Sequence, residues 1–401
     1  MKILFCIPNP TVKSLGAPKV LVELSEELRC LGWKITFITP SDLLEGNFQD
    51  FKTHKSLNLY SESLRNYLKK NAINYDVIDY DHLYLPYSRN EFPSHTLMVA
   101  RSVLLYHHFK PELIEILSQP KPNNWISKMQ FITKKSLGIN RFSQFKKDIQ
   151  RNIYLANYTF SEADLVNVSN EDDKLELIKN GISQDKICVI PYGISQFRRQ
   201  LFDKIPSELP SEPKVAFVGT FDNRKGASDF PRIVRNICER IPNVTFSLIG
   251  TKGLYADKNE VLKCFSQEIR NKIEVIPRFE PNDLPSLLSN CSLGIFPSYI
   301  EGFGFGVLEM LAASLPVIAY NSPGPPMMIP EEYLVARGDT DKMAEKVVAL
   351  LNDHNRLSSA RIWAKQKSQQ FCWQKIAQQT TLIYSESWQK KQSLISYKNI
   401  H

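Results

Sequence analysis

One pattern limits the possible folds of this chain more than any other: an apolar run, a loop, an amphipathic helical segment and a second apolar run. It begins with "MKILFCIPNP" at residue 1, continues through a helical segment that ends at Gly32, and closes with "WKITFITP". The same order returns from "PKVAFVGTF" at residue 213. This order is typical of βαβ units in a doubly wound parallel sheet. The sequence therefore predicts two Rossmann-like α/β domains in tandem.

The segment between the two patterns is interpreted as a linker. The chain has 401 residues, more than one hydrophobic core usually supports. Residues 201–214 carry three prolines and three acidic residues, a composition typical of an interdomain connection. We predict an N-terminal domain over 1–205 and a C-terminal domain over 211–372, followed by a helical pattern over 373–401.

The composition argues against several classes of protein. No apolar stretch approaches the ~20 residues that a membrane-spanning helix needs. The first apolar run is too short for a secretory signal, and the seven cysteines form no C-x-x-C pair. We therefore expect a cytoplasmic protein with reduced thiols. The net charge of +8 favours anionic ligands or an anionic surface without identifying either.

Two glutamates stand at the ends of a glycine-rich segment in the second half. "SYIEGFGFGVLEMLAASLPVIAY" contains Glu301 and Glu309, and a helical pattern begins at about Val307. A glycine-rich turn from strand to helix offers backbone N–H groups and a helix N-terminus to an anion such as a diphosphate. The structural alternative is that Glu301 caps the helix and Glu309 is a solvated helical residue.

This segment resembles a motif of the retaining glycosyltransferases of family 4, which have the GT-B architecture. Those enzymes carry two glutamates separated by seven residues, followed by "A-x-G-x-P-V-I/V-A". Glu301 and Glu309 fit that spacing, and "AASLPVIA" fits the continuation, with Ser314 where glycine is usual. The resemblance covers nearly the whole chain. It implies two Rossmann-like domains facing a central cleft, with the acceptor on the first, the nucleotide sugar on the second, and the helix 373–401 packed back on the first.

A second motif follows the first strand of the predicted C-terminal domain. Relatives have Gly-Arg-Leu, a short loop and Lys-Gly, and the two cations neutralise the donor diphosphate. In "FVGTFDNRKGA" the Lys225-Gly226 pair fits, but Gly219 is followed by Thr220 instead of arginine, and Arg224 is the candidate replacement. Two cations suit the chemistry because charge builds on the leaving nucleoside diphosphate. The alternative is an exposed basic turn.

The predicted N-terminal domain departs from the family pattern at two places. Gly16 stands at the glycine loop near the donor phosphates, but Ala17 fills the second glycine position. The histidine that relatives direct at the sugar falls on Val103. His107 matches the second histidine of that pattern, and His108 is a further candidate. A lone histidine is more often a surface or core residue than a catalytic one, so both alternatives stay open.

Two further patterns carry alternatives of their own. "DYD" at 79–81 matches the D-x-D metal motif of another glycosyltransferase architecture, but a three-residue match arises readily by chance, and we expect neither a metal nor a cofactor. Residues 128–151 combine seven basic residues with interleaved aromatic and aliphatic ones. They predict either contact with an anionic membrane or a solvated basic helix face. No nucleic-acid recognition module accompanies this charge.

Taken together, the sequence predicts a retaining glycosyltransferase that moves a sugar from a UDP- or GDP-linked donor to a glycan, lipid-linked or small-molecule acceptor. The alternatives are a non-catalytic relative that binds sugar nucleotides or glycans, and a GT-B epimerase of sugar nucleotides. The residues predicted to act in catalysis are Glu301, Lys225, Arg224 and His107. Those predicted to bind the donor are Gly16, Gly219, Thr220, Arg224, Lys225, Arg278, Glu301, Gly302, Phe303, Gly304, Val307 and Glu309.

Overall fold

The computed structural model describes residues 1–8, 16–44, 54–117, 141–206 and 208–400, and the chain forms two compact units. The first unit comprises Met1–His107, Ile149–Ser195 and Cys372–His401. The second comprises His108–Asp148 and Gln196–Phe371, in both cases as far as these residues are described. The boundary after Ser195 therefore precedes the predicted linker at 201–214. The segment that begins at His108 clusters with the second unit, although the sequence placed it in the first.

The first unit contains a six-stranded parallel sheet. Its strands are β1 Lys2–Cys6, β2 Lys34–Ile38, β3 Val77–Asp81, β4 Leu97–Arg101, β5 Leu165–Val168 and β6 Ile187–Val189. They are arranged in the order β2-β1-β3-β4-β5-β6, and every neighbouring pair is parallel. Strands such as β4, "LMVAR", are buried along their whole length because helices cover both faces of such a sheet.

Seven helices precede the second sheet along the described chain. They are α1 Gly16–Cys30, α2 Pro40–Leu43, α3 His54–Asn71, α4 Pro111–Leu117, α5 Arg141–Glu162, α6 Glu171–Lys179 and α7 Gln196–Asp203. Capping fixes the start of α6, because the Asn170 side chain accepts a hydrogen bond from the Asp173 N–H (2.8 Å). Helices α4 and α7 belong to the second unit.

The second unit contains another six-stranded parallel sheet. Its strands are β7 Lys214–Val218, β8 Thr245–Ile249, β9 Ile273–Ile276, β10 Leu293–Phe296, β11 Val317–Tyr320 and β12 Leu334–Val335. Their order is β12-β11-β10-β7-β8-β9. The remaining helices of this unit are α8 Phe230–Arg240, α9 Lys258–Leu262, α10 Leu284–Leu288, α11 Phe305–Ala312, α12 Thr340–Leu351 and α13 His354–Ser368.

The last helix, α14 Trp373–Ile400, packs on the first unit. Its Trp373 indole donates to the Glu23 carboxylate on α1 (2.6 Å). The indole of Trp33 in turn donates to the hydroxyl of Thr381 on α14 (3.0 Å). The helical pattern predicted over 373–401 thus forms one helix, and it returns the chain to the N-terminal half.

The strand order places a topological switch point in each sheet. In the second sheet the chain runs outward from β7 to β8 and β9, and outward in the other direction from β10 to β11 and β12. The neighbours β7 and β10 therefore flank the reversal, and β1 and β3 flank it in the first sheet. Open α/β sheets bind ligands beyond the carboxyl ends of the strands at such a point. The loops after β7 and β10 are thus the first place to look for a site.

The basic segment 128–151 lies only partly within the described residues. Residues 128–140 fall outside them, and α5 begins at Arg141. The membrane contact predicted for this segment stays a prediction. Among the helices of the described ranges, none is both long enough and apolar enough to cross a membrane.

Candidate active site

The loop after β7 is folded by its own side chains. The carboxylate of Asp222 accepts a hydrogen bond from the Lys225 N–H (3.0 Å), which closes a 3-10 turn over Asn223–Lys225. The Thr220 hydroxyl donates to the same carboxylate (2.7 Å). Thr220, which replaces the arginine of the family pattern, therefore supports the turn that carries Arg224 and Lys225.

Gly226 allows this loop to touch the chain that follows β10. Its φ is +82°, in the left-handed region that favours glycine. A Cβ at this position would collide with the carbonyl oxygen of Pro297. The Tyr299 N–H donates to the Arg224 carbonyl (2.8 Å), and the Arg224 guanidinium donates to the Ile300 carbonyl (3.0 Å). The loops after β7 and β10 thus form one surface at the switch point.

The carboxylate of Glu301 is the centre of this surface. It accepts hydrogen bonds from the Lys225 ammonium and the Ser298 hydroxyl, and its third donor is Arg224 Nη1 at 3.3 Å. The Glu301 side chain is only 7% exposed. Burial by itself raises the pKa of Glu301, but the charges of Lys225 and Arg224 outweigh it and hold the pKa below its ordinary value. Glu301 is therefore an ionised acceptor at neutral pH.

The two cations differ in exposure. The Lys225 side chain is 12% exposed, and its ammonium lies 4.9 Å from the centroid of the Phe296 ring. Burial lowers the pKa of Lys225, an effect that the neighbouring Glu301 carboxylate opposes. The Arg224 side chain is 31% exposed. The alternative of an exposed basic turn is therefore wrong for Lys225, while Arg224 presents part of its charge to solvent.

Helix α11 begins at Phe305, two residues before the predicted start, and its N-cap is Gly304 with a φ of +92°. Glu301 therefore does not cap this helix, contrary to the structural alternative. Gly306 lets the first turn approach the end of β7, because a Cβ there would collide with the Val218 carbonyl oxygen. The helix N-terminus accordingly lies beside the loop that carries the two cations.

Two of the predicted donor-binding residues in this turn serve packing. Val307 is fully buried and its N–H already donates to the Gly304 carbonyl (2.9 Å). Phe303 is buried and packs edge-on against Phe305 and Phe371 at centroid distances of 5.3 and 5.9 Å. The side chains of Phe303 and Val307 therefore do not support the predicted donor contacts.

Glu309 lies on α11 and is buried, so it is not the solvated helical residue of the structural alternative. Its carboxylate forms an ion pair with Arg198 on α7, with Nη2 and Oε1 2.8 Å apart. Sequence reasoning missed Arg198, which lies 111 positions away in a segment without a motif. Its one signal is its place beside the predicted linker.

Three remaining donor-site predictions lie in different parts of the fold. Gly219 directly follows β7, as expected for the loop. Arg278 follows β9, the edge strand on the far side of β8, and its exposed side chain makes no hydrogen bond to another described residue. The structure therefore does not bring Arg278 into the Glu301 group. Gly16 is the first residue of α1, in the other unit.

The histidine predicted to act in catalysis is packed into the first unit. His107 is buried, its Nε2 lies 2.7 Å from Asn157 Oδ1, and its ring centroid lies 6.4 Å from that of Phe160. His108 is also buried. The structure favours a packing role for His107 over the predicted catalytic one. The family position at Val103 is only partly exposed and carries no polar group.

The aspartates of the D-x-D match have other partners. Asp79 is fully buried and accepts hydrogen bonds from Arg101 (3.0 and 2.6 Å) and from the hydroxyl of Tyr384 (2.6 Å). Asp81 accepts from the Leu83 N–H (2.9 Å). In the part of the chain that the structure describes, no three His, Cys, Asp or Glu side chains are grouped to hold a metal ion. Asp79 is therefore a structural residue of β3.

Part of the second unit matches a known protein family. Residues 199–369, which include the loop after β7 and both glutamates, match the model of the family described as "Glycosyl transferases group 1". Over 239 residues the chain is 26% identical to D-inositol 3-phosphate glycosyltransferase from Nocardia farcinica, an alignment that covers 56% of this chain and 53% of that protein. The chain spans about half the length of the first curated relatives that it matches.

Two solved structures share the fold over nearly the whole chain. Sucrose-phosphate synthase from Thermosynechococcus elongatus has a TM-score of 0.69 and 19% identity, covering 96% of this chain and 98% of that one. HepE from Anabaena, solved in complex with UDP-glucose, has a TM-score of 0.61 and 16% identity, covering 96% and 100%. The prediction of two Rossmann-like domains of the GT-B class is confirmed.

Proposed function

We propose that this protein is a retaining glycosyltransferase that moves a sugar from a nucleoside diphosphate sugar to an acceptor hydroxyl. One observation carries the proposal: Lys225, Arg224 and Glu301 converge at the switch point of the second sheet. A cation pair there suits a diphosphate, and a carboxylate suits sugar hydroxyls. The match of residues 199–369 to a glycosyltransferase family model supports the same reading.

The proposed chemistry needs charge stabilisation above all. As the bond between the anomeric carbon and the diphosphate breaks, its electron pair and a full negative charge pass to the leaving group. Arg224 and Lys225 would stabilise that charge, together with backbone N–H groups at the start of α11. The oxygen of the acceptor hydroxyl would bond to the anomeric carbon on the face that the diphosphate leaves, and its proton would pass to the departing phosphate oxygen. We assign no side chain as a nucleophile.

The two glutamates take different parts in this proposal. In the structure Glu301 compensates the charge of Lys225. A bound diphosphate would provide a second counter-charge, and Glu301 would then accept hydrogen bonds from the transferred sugar. Glu309 would accept them from the ribose of the nucleotide. HepE was crystallised with UDP-glucose, so UDP sugars are the first donors to test. The acceptor would be a glycan, a lipid-linked sugar or a small molecule.

A non-catalytic relative that binds sugar nucleotides is the second candidate. Thr220 in place of arginine and the packed His107 favour it, because two groups that act in relatives are absent or used elsewhere. Such a protein would bind nucleotide sugars without releasing nucleotide. Lys225 and Glu301 are retained in both cases, so their geometry does not separate the two candidates.

The direct test is to incubate the full chain with UDP and GDP sugars and to follow nucleotide release with and without candidate acceptors. Release that depends on the acceptor, with product of the same anomeric configuration as the donor by NMR, supports the proposal. Binding of the donor without release under any acceptor indicates the non-catalytic relative, and interconversion of the donor sugar indicates an epimerase. Lys225→Ala serves as the inactive control.

A further inference from the structure

A buried ion pair joins α7 to α11 within the second unit. Arg198 Nη2 donates to Glu309 Oε1 at 2.8 Å, and the same nitrogen lies 3.4 Å from the Pro281 carbonyl oxygen. The side chains of Arg198 and Glu309 are 4% and 10% exposed. Taking two charges out of water costs several kcal/mol per ion, and a buried pair is therefore weak as a source of stability. The pair needs another explanation.

The other guanidinium nitrogens of Arg198 add to the free-energy cost of burying this ion pair. Its Nε and Nη1 are buried and have no hydrogen-bond partner among the described residues. Each buried donor left without an acceptor costs about 1–3 kcal/mol. An arginine retained for stability alone would satisfy more of its donors. The hydrogen bond to Glu309 is the shortest that Arg198 makes among the described residues.

We propose that Arg198 is a positioning residue for nucleotide recognition, fixing the Glu309 carboxylate so that it accepts hydrogen bonds from both ribose hydroxyls. This inference rests on the proposed function, because it takes Glu309 as the ribose acceptor. The Glu309 carboxylate ends a side chain with three rotatable bonds, and the guanidinium hydrogen bond to Oε1 limits its rotation. Arg198 lies one residue before the segment 199–369 that the family model matches. Its role is to orient another residue, and it makes no contact with the nucleotide.

The test measures how much the ribose hydroxyls contribute to binding. Isothermal titration calorimetry of the full chain would use UDP, 2′-deoxy-UDP and 3′-deoxy-UDP, or the GDP series if the wild type binds GDP instead. We expect each deoxy nucleotide to bind the wild type about tenfold more weakly, the scale of one lost charged hydrogen bond. In Arg198→Met and in Glu309→Gln this penalty should fall below about threefold.

Two further variants keep the test informative if Arg198→Met does not fold. Arg198→Lys keeps the charge and should restore part of the deoxy penalty. Arg198→Met combined with Glu309→Gln removes both charges, and it should bind UDP as Glu309→Gln does, within about twofold, because Arg198 acts only through Glu309. Arg199→Met, one position further on the same helix, is the matched control and should keep the wild-type penalty.

The outcomes separate the inference from the proposed function. If the wild type binds neither UDP nor GDP, the proposed function fails and the inference falls with it. If the wild type shows the deoxy penalty and Arg198→Met keeps it in full, the inference alone is wrong. A further loss of UDP affinity when Arg198→Met is added to Glu309→Gln also overturns it, since Arg198 would then contact the nucleotide itself.

Discussion

Glu301 accepts hydrogen bonds from three side chains, two from the loop after β7 and one from its own loop after β10. Lys225 and Arg224 precede it by 76 and 77 positions, and Ser298 by three. Lys225 and Arg224 carry two positive charges against the one negative charge of Glu301, so the group keeps a net charge of +1 before any ligand binds. A bound diphosphate would add negative charge beside these ion pairs. Substituting one residue of the group at a time can therefore separate effects on donor binding from effects on turnover.

Lys225→Ala is expected to lower kcat/KM by roughly 10²-fold or more, the scale of losing one preorganised charge-stabilising group. Arg224→Ala should be comparably harmful if Arg224 has taken over the task of the arginine missing at Thr220. Steady-state kinetics with the best donor and acceptor measure both. If Arg224→Ala keeps the wild-type kcat/KM while Lys225→Ala loses most of it, Arg224 has not replaced the missing arginine.

Glu301→Gln should reduce kcat more than donor affinity, because its proposed partner is the sugar being transferred. It should also change how stability depends on pH. The folded protein holds the pKa of Glu301 below that of the unfolded chain, so this carboxylate stabilises the fold above its unfolded pKa. That contribution is lost as the pH falls through the lower, folded pKa.

Urea unfolding of the wild type and Glu301→Gln, from neutral pH down to about pH 3, measures this contribution. The wild type should lose more stability than the variant on acidification, since the other carboxylates cancel in the comparison. Parallel curves for the two proteins would contradict the assigned direction of the pKa shift. Unchanged kcat in the variant would refute the proposed contact with the sugar.

At the scale of elements, the site depends on how closely two loops and one helix approach each other. Gly226 and Gly306 remove the side chains that would separate β7 from the segment after β10. Gly181, which follows α6, differs from them: its φ is +87°, but no atom lies close enough to collide with an added Cβ. Gly226 and Gly181 both have a positive φ, but only Gly226 is crowded, so the two form a matched pair for substitution.

Gly226→Ala should destabilise the protein by about 2 kcal/mol or more, because a left-handed alanine and a collision with the Pro297 carbonyl add together. Gly181→Ala should cost about 1 kcal/mol, since only the conformational term applies. Urea unfolding measures both. Equal costs in the two variants would mean that the loop moves away from Pro297 without penalty.

At the scale of the whole molecule, the two aspartates of the D-x-D match differ in their surroundings, because Asp79 belongs to a buried network and Asp81 does not. Asp79, Arg101 and Tyr384 form a buried network, to which Asn167 adds a hydrogen bond to the Tyr384 hydroxyl (2.9 Å). It ties strands β3, β4 and β5 to the C-terminal helix. Substitution of Asp79 would leave Arg101 buried without its counter-charge, at a cost of about 3–5 kcal/mol. Asp79→Asn is therefore no test of metal binding.

We expect glycosyltransfer to survive EDTA, because Lys225, Arg224 and backbone N–H groups supply the positive charge that the leaving diphosphate needs. Asp81→Asn, which removes the second aspartate without breaking the buried network, should leave turnover largely intact. Nucleotide release before and after chelation is the measurement. Loss of activity that Mn²⁺ or Mg²⁺ restores would overturn the metal-independent mechanism.

The sequence by itself determined the fold class, and it singled out Glu301 and Glu309 as candidate site residues. Strand and helix periods are local properties, so two βαβ patterns sufficed to predict two doubly wound sheets. The spacing of Glu301 and Glu309 is likewise local, and it predicted that the segment after β10 belongs to the candidate site.

Only the tertiary structure decided which side chains meet. The pairs Arg198–Glu309 and Arg101–Asp79 join residues 111 and 22 positions apart on different elements. Such contacts depend on strand order, crossover length and the close approach that glycine permits, and no local period encodes these. The same reason explains why the sequence did not indicate that the side chains of His107, Phe303 and Val307 are packed against other residues. A sequence pattern gives the position of a residue along an element, whereas burial depends on which element packs against it.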